Sequence, residues 1–295
     1  SVDEITPKSA WNGWGCEFKL AKQEAYPIRT YVDYGLDKDP KEEVKVDPIS
    51  PVIEFFGSLQ KGEQAWMQIV VTPSKKTWHT HGTWFGSHNF TDESIEEMER
   101  LLQPFTRYHE RPVGAPGAGT FSLELRQPEF LKNVVNAMSA KTAKICFDAG
   151  VRVMYVAKKE VFNMSNRRNM RLIFRQYAKP DSNQLERQNS TQADAFGGVF
   201  TISKKTVMIL ANRMLTEFRE RSFFHSALRH HLFSTASIPW PFSDMFHPVF
   251  FYQDTFVLNV EELATMWHFP GQILKVPTLE RIESKEASPP TNLPI

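Results

Sequence analysis

Apolar residues along the chain recur in two kinds of pattern, and each predicts its own element. Val207, Leu210, Ala211, Met214, Leu215 and Phe218 fall at helical spacing, which predicts a helix over 205–223. Phe130, Leu131, Val134, Val135 and Met138 form a second stripe, and Pro128 just ahead of it suits a first helical turn. Ile95, Met98, Leu101 and Leu102 predict a shorter helix, capped by Thr91 or Asp92, opened by an acidic turn and limited by Pro104. Asn259 followed three residues later by Glu262 has the spacing of a capping box, so a last helix starts there and ends at Pro270-Gly271. Another helix is predicted across 160–177.

The remaining apolar runs read as strands. Val52 to Gly57 and Ala65 to Val71 predict a hairpin, and Tyr26 to Tyr34 alternates weakly enough to add one more strand. Residues 144–158 predict a strand broken at Asp148-Ala149-Gly150, whose second half alternates Val151, Val153, Tyr155 and Ala157 with Arg152, Met154, Val156 and Lys158. Val199 to Ser203 and Val249 to Leu258 are also strand-like. Residues 74–90, 111–120 and 179–198 read as polar or Gly/Pro-rich loops, and 40–51 as a charged connection. No internal repeat is visible. This order predicts an α+β fold, with helices packed on a mixed or largely antiparallel sheet. The expected unit is 1–282, with a division into subdomains at about 1–122 and 123–282 left open. Residues 283–295 read as a Pro-rich linker to a further domain.

Composition narrows the class. Of 295 residues 41% are apolar and 13% aromatic, which excludes disorder as the global state. No stretch reaches the roughly 18 consecutive apolar residues of a membrane span, so direct membrane insertion is not expected. Ser1-Val2-Asp3-Glu4 is no signal peptide, and the lack of an initial Met reads as a piece of something longer. Cys16 and Cys146 are too few for a disulfide framework or a four-thiolate zinc site. Charge is nearly balanced overall, with 35 Lys and Arg against 34 Asp and Glu, yet unevenly placed. Residues 151–231 hold 15 basic and 6 acidic side chains, whereas 1–150 hold 17 and 21, and 232–295 hold 3 and 7.

That basic block supplies the candidate contact residues. Arg167, Arg171 and Arg175 stand at i, i+4 and i+8 of the 160–177 helix, with Arg168 beside them, and Arg213, Arg219 and Arg221 lie on the 205–223 helix. Such rows could follow a phosphodiester backbone, meet the acidic flank of a neighbouring subunit, or stay solvated. Catalytic signatures do not emerge. Gly114-Ala115-Pro116-Gly117-Ala118-Gly119 lacks the Lys-Ser/Thr of a phosphate-binding loop, and Pro116 removes a backbone donor. His79, His81 and His88 cluster within ten residues, the one place where a free-standing metal-dependent enzyme could be built, but without a Cys or a second close pair nearby. His225, His230 and His231 do not share a helical face. Cys146 sits in an apolar run, and no role attaches to His109-Glu110 or Asp148. Asn-x-Ser/Thr triplets begin at Asn89, Asn163 and Asn189. No catalytic residue, cofactor or metal is expected.

Several blocks together resemble the region that precedes the motor in conjugation-type, type IV secretion, helicase-like P-loop ATPases of bacteria. They are 31–37 (YVDYGLD), Pro51 to Leu59 with Gly62-Glu63-Gln64, Lys144 to Phe162, Arg221 to Phe224, Leu258 to Pro270, and Val276 to Ile282 with Pro289-Pro290 and Asn292-Leu293-Pro294. The stretch from Glu261-Glu262-Leu263-Ala264 to His268-Phe269-Pro270 is the most specific. The blocks span about half the chain in order, and residues 74–121 and 179–204 depart from the pattern. The resemblance implies an accessory domain at the cytoplasmic face of the membrane, with an anchor upstream and the ATPase domain downstream in the same polypeptide. It implies positioning or oligomerising that motor, with a homo-oligomer and DNA as further partners, and it carries over no catalytic residue.

Overall fold

The computed structural model describes residues 2, 5, 8–38, 47–74, 77–79, 87–110, 121–125, 128–191, 204–221 and 255–269. Its strands are β1 (Trp11–Leu20), β2 (Glu63–Pro73), β3 (Thr77–His79), β4 (Ser87–Asn89), β5 (Thr106–Glu110), β6 (Phe121–Leu125), β7 (Cys146–Lys158), β8 (Leu185–Ser190) and β9 (Phe256–Asn259). The helices described are α1 (Ser50–Gly57), α2 (Phe90–Leu102), α3 (Glu129–Thr142), α4 (Met164–Arg171), α5 (Lys204–Glu220) and α6 (Val260–Met266). The fold is α+β. Five strands form one antiparallel sheet in the order β2-β7-β1-β8, with β9 on β7 beyond the end of β1. β3–β4 and β5–β6 are separate two-stranded pairs. Strands from residues 1–122 and from 123–282 therefore interleave in the same sheet.

β7 is the middle of the molecule. Asp148-Ala149-Gly150 does not break it, because these residues pair with Thr72, Val71 and Val70 of β2, while Asp148 and Ala149 also face Val257 and Phe256 of β9. Both faces of β7 are covered, so every residue from Ala149 to Ala157 is buried. Val151, Val153, Tyr155 and Ala157 pack with Cys16, Phe18, Val52, Phe174 and Tyr177 on one face. Met154 and Val156 pack under Leu210, Ala211, Met214, Leu215 and Phe218 of α5 on the other. Each such side chain contributes about 1.5–3 kcal/mol by leaving water.

The expected hairpin is corrected: its first arm is α1. Pro51 opens the helix. Val52, Phe55, Phe56 and Leu59, at i, i+3, i+4 and i+7, meet the same core. A short apolar run fits either period, and packing chose the helix. Residues 26–34 form no strand. Their backbone donors go elsewhere, Ile28 N–H to Glu262 Oε1, Arg29 N–H to the Tyr177 carbonyl and Tyr31 N–H to Thr265 Oγ1. The 160–177 helix is also shorter than expected, stopping at Arg171 before a 3-10 turn at Arg175–Tyr177. Met170, Ile173, Phe174 and Tyr177 are all buried in the core across this change of backbone. The loop expected at 179–198 contains β8, and that at 74–90 contains β3 and β4.

Other differences are local. Asn89, not Thr91 or Asp92, caps α2, and Ile95 faces solvent while Met98 and Leu101 pack near Val134 and Met138. On α3 the buried face is Leu131, Val134, Met138 and Lys141, leaving Phe130 66% exposed. α5 and the capping box of α6 lie where the sequence places them, although α6 ends at Met266, ahead of Pro270. β9 covers the end of the run expected from Val249. The expectations at 40–46, 111–120, 199–203 and 283–295 lie outside the described residues. Among the described residues no helix is long and apolar enough to cross a membrane.

Candidate functional site

Among the described residues the arginines of the basic block do not share one surface. α4 begins at Asn163, whose side chain accepts from the Ser165 N–H at 2.8 Å, and it carries Arg167, Arg168 and Arg171. Arg168 and Arg171 fall in its last turn, where cations complement the helix dipole. The helix ends at Leu172, so Arg175 belongs to the next turn and the expected straight row is interrupted. Arg213, Arg219 and Arg221 belong to α5 or its end, on the opposite face of the sheet. Arg219 donates to the Val2 carbonyl, and Arg221 comes after the helix with a left-handed φ of 50°. The sheet thus separates the two arginine groups that the sequence suggested might act together.

Arg171 and Arg175 are nevertheless brought together. Both line an open depression of about 220 Å³, with Phe18, Leu172, Phe174 and Leu185 among its walls. Arg168, Arg171 and Arg175 are exposed, and among the described residues no carboxylate pairs with them. Arg167 is half-buried and engaged.

The most constrained polar group is elsewhere, and sequence reasoning found half of it. Glu262 closes the capping box, its carboxylate accepting from the Asn259 N–H at 2.8 Å while Asn259 Oδ1 accepts from the Glu262 N–H at 2.8 Å. The same carboxylate accepts from Ile28 N–H at 2.9 Å and meets Lys141 Nζ of α3 at 3.1 Å, with both side chains fully buried. Lys141 was hidden as the polar end of an apolar helix stripe. Next to it, burial pushes the Glu24 carboxyl up to about 7; the Lys141 ammonium opposes the rise, and the Asp148 and Glu93 carboxylates add to it.

Two further polar centres hold strands to helices. Tyr155 donates to Glu63, which also accepts from Asn166 Nδ2 at 2.7 Å and Gln60 N–H at 2.8 Å. Burial pushes the Glu63 carboxyl upward, but these donors outweigh it and hold it below the usual carboxylate range. Arg152, buried under α5, stands between Glu17 and Gln68 across the sheet and lies 3.8 Å from Glu217. These groups brace elements against one another.

Of the other sequence candidates, His79 and His88 lie on β3 and β4, one register position apart. His81 lies outside the described residues, as do His225, His230, His231 and the 114–119 glycine run. Among the described residues no three His, Cys, Asp or Glu side chains are placed to hold a metal ion. Burial pushes both the Cys16 and Cys146 thiols up, against a nucleophilic thiolate. Asn89 and Asn163 of the Asn-x-Ser/Thr triplets are helix caps, each accepting from the N–H two residues on. Asn189 lies on β8.

No curated protein and no solved structure matches the chain. A family model does, over residues 13–279, a span that takes in all of β7, α5 and the capping-box helix. The chain therefore belongs to the family described as Domain of unknown function (DUF8128).

Proposed function

We propose that this chain is a non-catalytic accessory domain of a DNA-transfer, conjugation-type ATPase, positioning or oligomerising a motor carried downstream in the same polypeptide at the cytoplasmic face of the membrane. The observation that carries this reading is the role of the segment with the most specific resemblance. Asn259, Glu262 and Thr265 are buried: Glu262 holds Ile28 and Lys141, Thr265 holds Tyr31, and Asn259 caps Glu262, an architectural use of the motif that supports the reading. Just after it, His268 Nε2 meets Asp47 Oδ1 at 2.8 Å, and Nδ1 lies 2.9 Å from the Ala264 carbonyl. His268 thus ties the end of α6 to Asp47, just ahead of α1, which supports the reading of a module that orients a downstream domain.

The test is the native reading frame and the whole polypeptide it encodes. A nucleotide-binding loop downstream of Ile295, with nucleotide hydrolysis and self-association by the purified full-length protein, is the expected result. A frame that stops near Ile295, or substrate turnover by residues 1–295 alone, would overturn the reading.

A second reading, sequence-independent DNA binding through the 151–231 block, draws on Arg168, Arg171 and Arg175, which face solvent on one side of the sheet. Its mark is affinity for duplex DNA that falls steeply with salt and with Arg171→Glu. Binding that ignores salt, or no binding at low salt, would remove it.

A further inference from the structure

The depression beside Arg171 and Arg175 combines two kinds of wall. Its rim holds two guanidiniums that no described carboxylate neutralises, and Leu172, 44% exposed, lies between them in sequence. Its inner wall is apolar, built from Phe18, Phe174 and Leu185. About 220 Å³ is below the usual range for small-molecule pockets, so it suits one or two side chains of a larger partner.

We propose that this depression docks an acidic peptide segment, whose carboxylates take Arg171 and Arg175 in forked hydrogen bonds and whose neighbouring aliphatic side chain enters the apolar floor. The proposal does not depend on the motor reading. Nucleic acid fits less well for two reasons. Binding single strands relies on exposed aromatic faces for stacking, whereas Phe18 and Phe174 are buried and packed edge to face, 4.7 Å apart. The break at Leu172 also removes the straight cationic row that would follow a phosphate backbone.

Fluorescence anisotropy on the intact chain tests this, using a labelled octapeptide alternating Glu and Leu, a Glu/Ser peptide of equal length, and a labelled oligothymidylate. The Glu/Leu peptide should bind saturably and most tightly of the three. Arg171→Glu with Arg175→Glu should weaken it at least about tenfold, as loss of paired charges does. Arg168→Glu, a single charge reversal on α4 outside the lining of the depression, should have little effect, whereas Arg171→Glu alone should already weaken binding. Leu172→Ser should weaken the Glu/Leu peptide and leave the Glu/Ser peptide unchanged. All four residues are exposed, so unchanged melting temperatures should show that the variants fold. Tighter binding of oligothymidylate, no saturable peptide binding, or equal loss with Arg168→Glu would overturn the proposal.

Discussion

Lys141 Nζ lies 3.1 Å from the Glu262 carboxylate, and neither side chain is reached by solvent. The pair joins α3 to α6 across the irregular segment at Tyr26–Ile28, because the Tyr26 carbonyl faces the same ammonium at 3.5 Å and Ile28 N–H donates to the same carboxylate. Removing one partner leaves the other charged and buried, which costs about 3–5 kcal/mol. Lys141→Met should lower the unfolding free energy from urea titration by that much, and Lys141→Met with Glu262→Gln should be less damaging than the single change. A double variant worse than the single one would mean that the charge on Glu262 is satisfied by its backbone donors alone.

Gly15 lets α5 sit directly on β1. A Cβ there would collide with Met214 Sδ and come within 3.0 Å of the Val153 carbonyl oxygen. Gly15→Ala should therefore destabilise by about 1–3 kcal/mol, the usual cost of overpacking. Met214→Ala is itself costly because Met214 is buried, but the two changes together should cost less than the sum of the single ones, read from chemical-denaturation curves. Full additivity of the two changes would place the strain elsewhere.

Glu24 makes stability depend on pH near neutrality. Its carboxyl is raised from the usual 4.5 to about 7, so the folded chain holds a proton that the unfolded chain has released within that window. Stability contributed by the protonated form is present at low pH and lost as pH rises from about 4.5 to 7. Glu24→Gln, which stays neutral, should gain stability relative to the parent on going from pH 5 to pH 8. Parallel unfolding curves at both pH values would refute this.

Glu63 works with the opposite sign. Burial alone would raise its carboxyl, but donors from Tyr155, Gln60 and Asn166 hold it low, so its contribution is present above the ordinary carboxylate pKa and lost as pH falls through the folded value. Tyr155→Phe removes a hydrogen bond to a charged group and should cost about 1–3 kcal/mol at pH 7. The penalty should shrink in acid, where Glu63 is protonated in both proteins. A penalty independent of pH would point instead to the Asn163 N–H, which donates to the Tyr155 hydroxyl at 3.1 Å and loses that acceptor in the variant.

Local chemistry alone determined some of this protein: the long apolar stripe of α5, the Pro-led start of α3, and the Asn259–Glu262 box all depend on contacts within a few residues. The α+β class came from the same periodicities. Long-range pairing decided the rest. Val52 to Phe56 could serve either period until the core at Phe18 and Tyr155 chose a helix, and Asp148-Ala149-Gly150 stayed in a strand because β2 and β9 flank it. Lys141 found its carboxylate 121 residues away, and the sheet put the arginines of α4 and α5 back to back. A chain shows which side chains are cationic or apolar, but only folding decides which of them share a surface, since that depends on contacts between segments far apart in sequence.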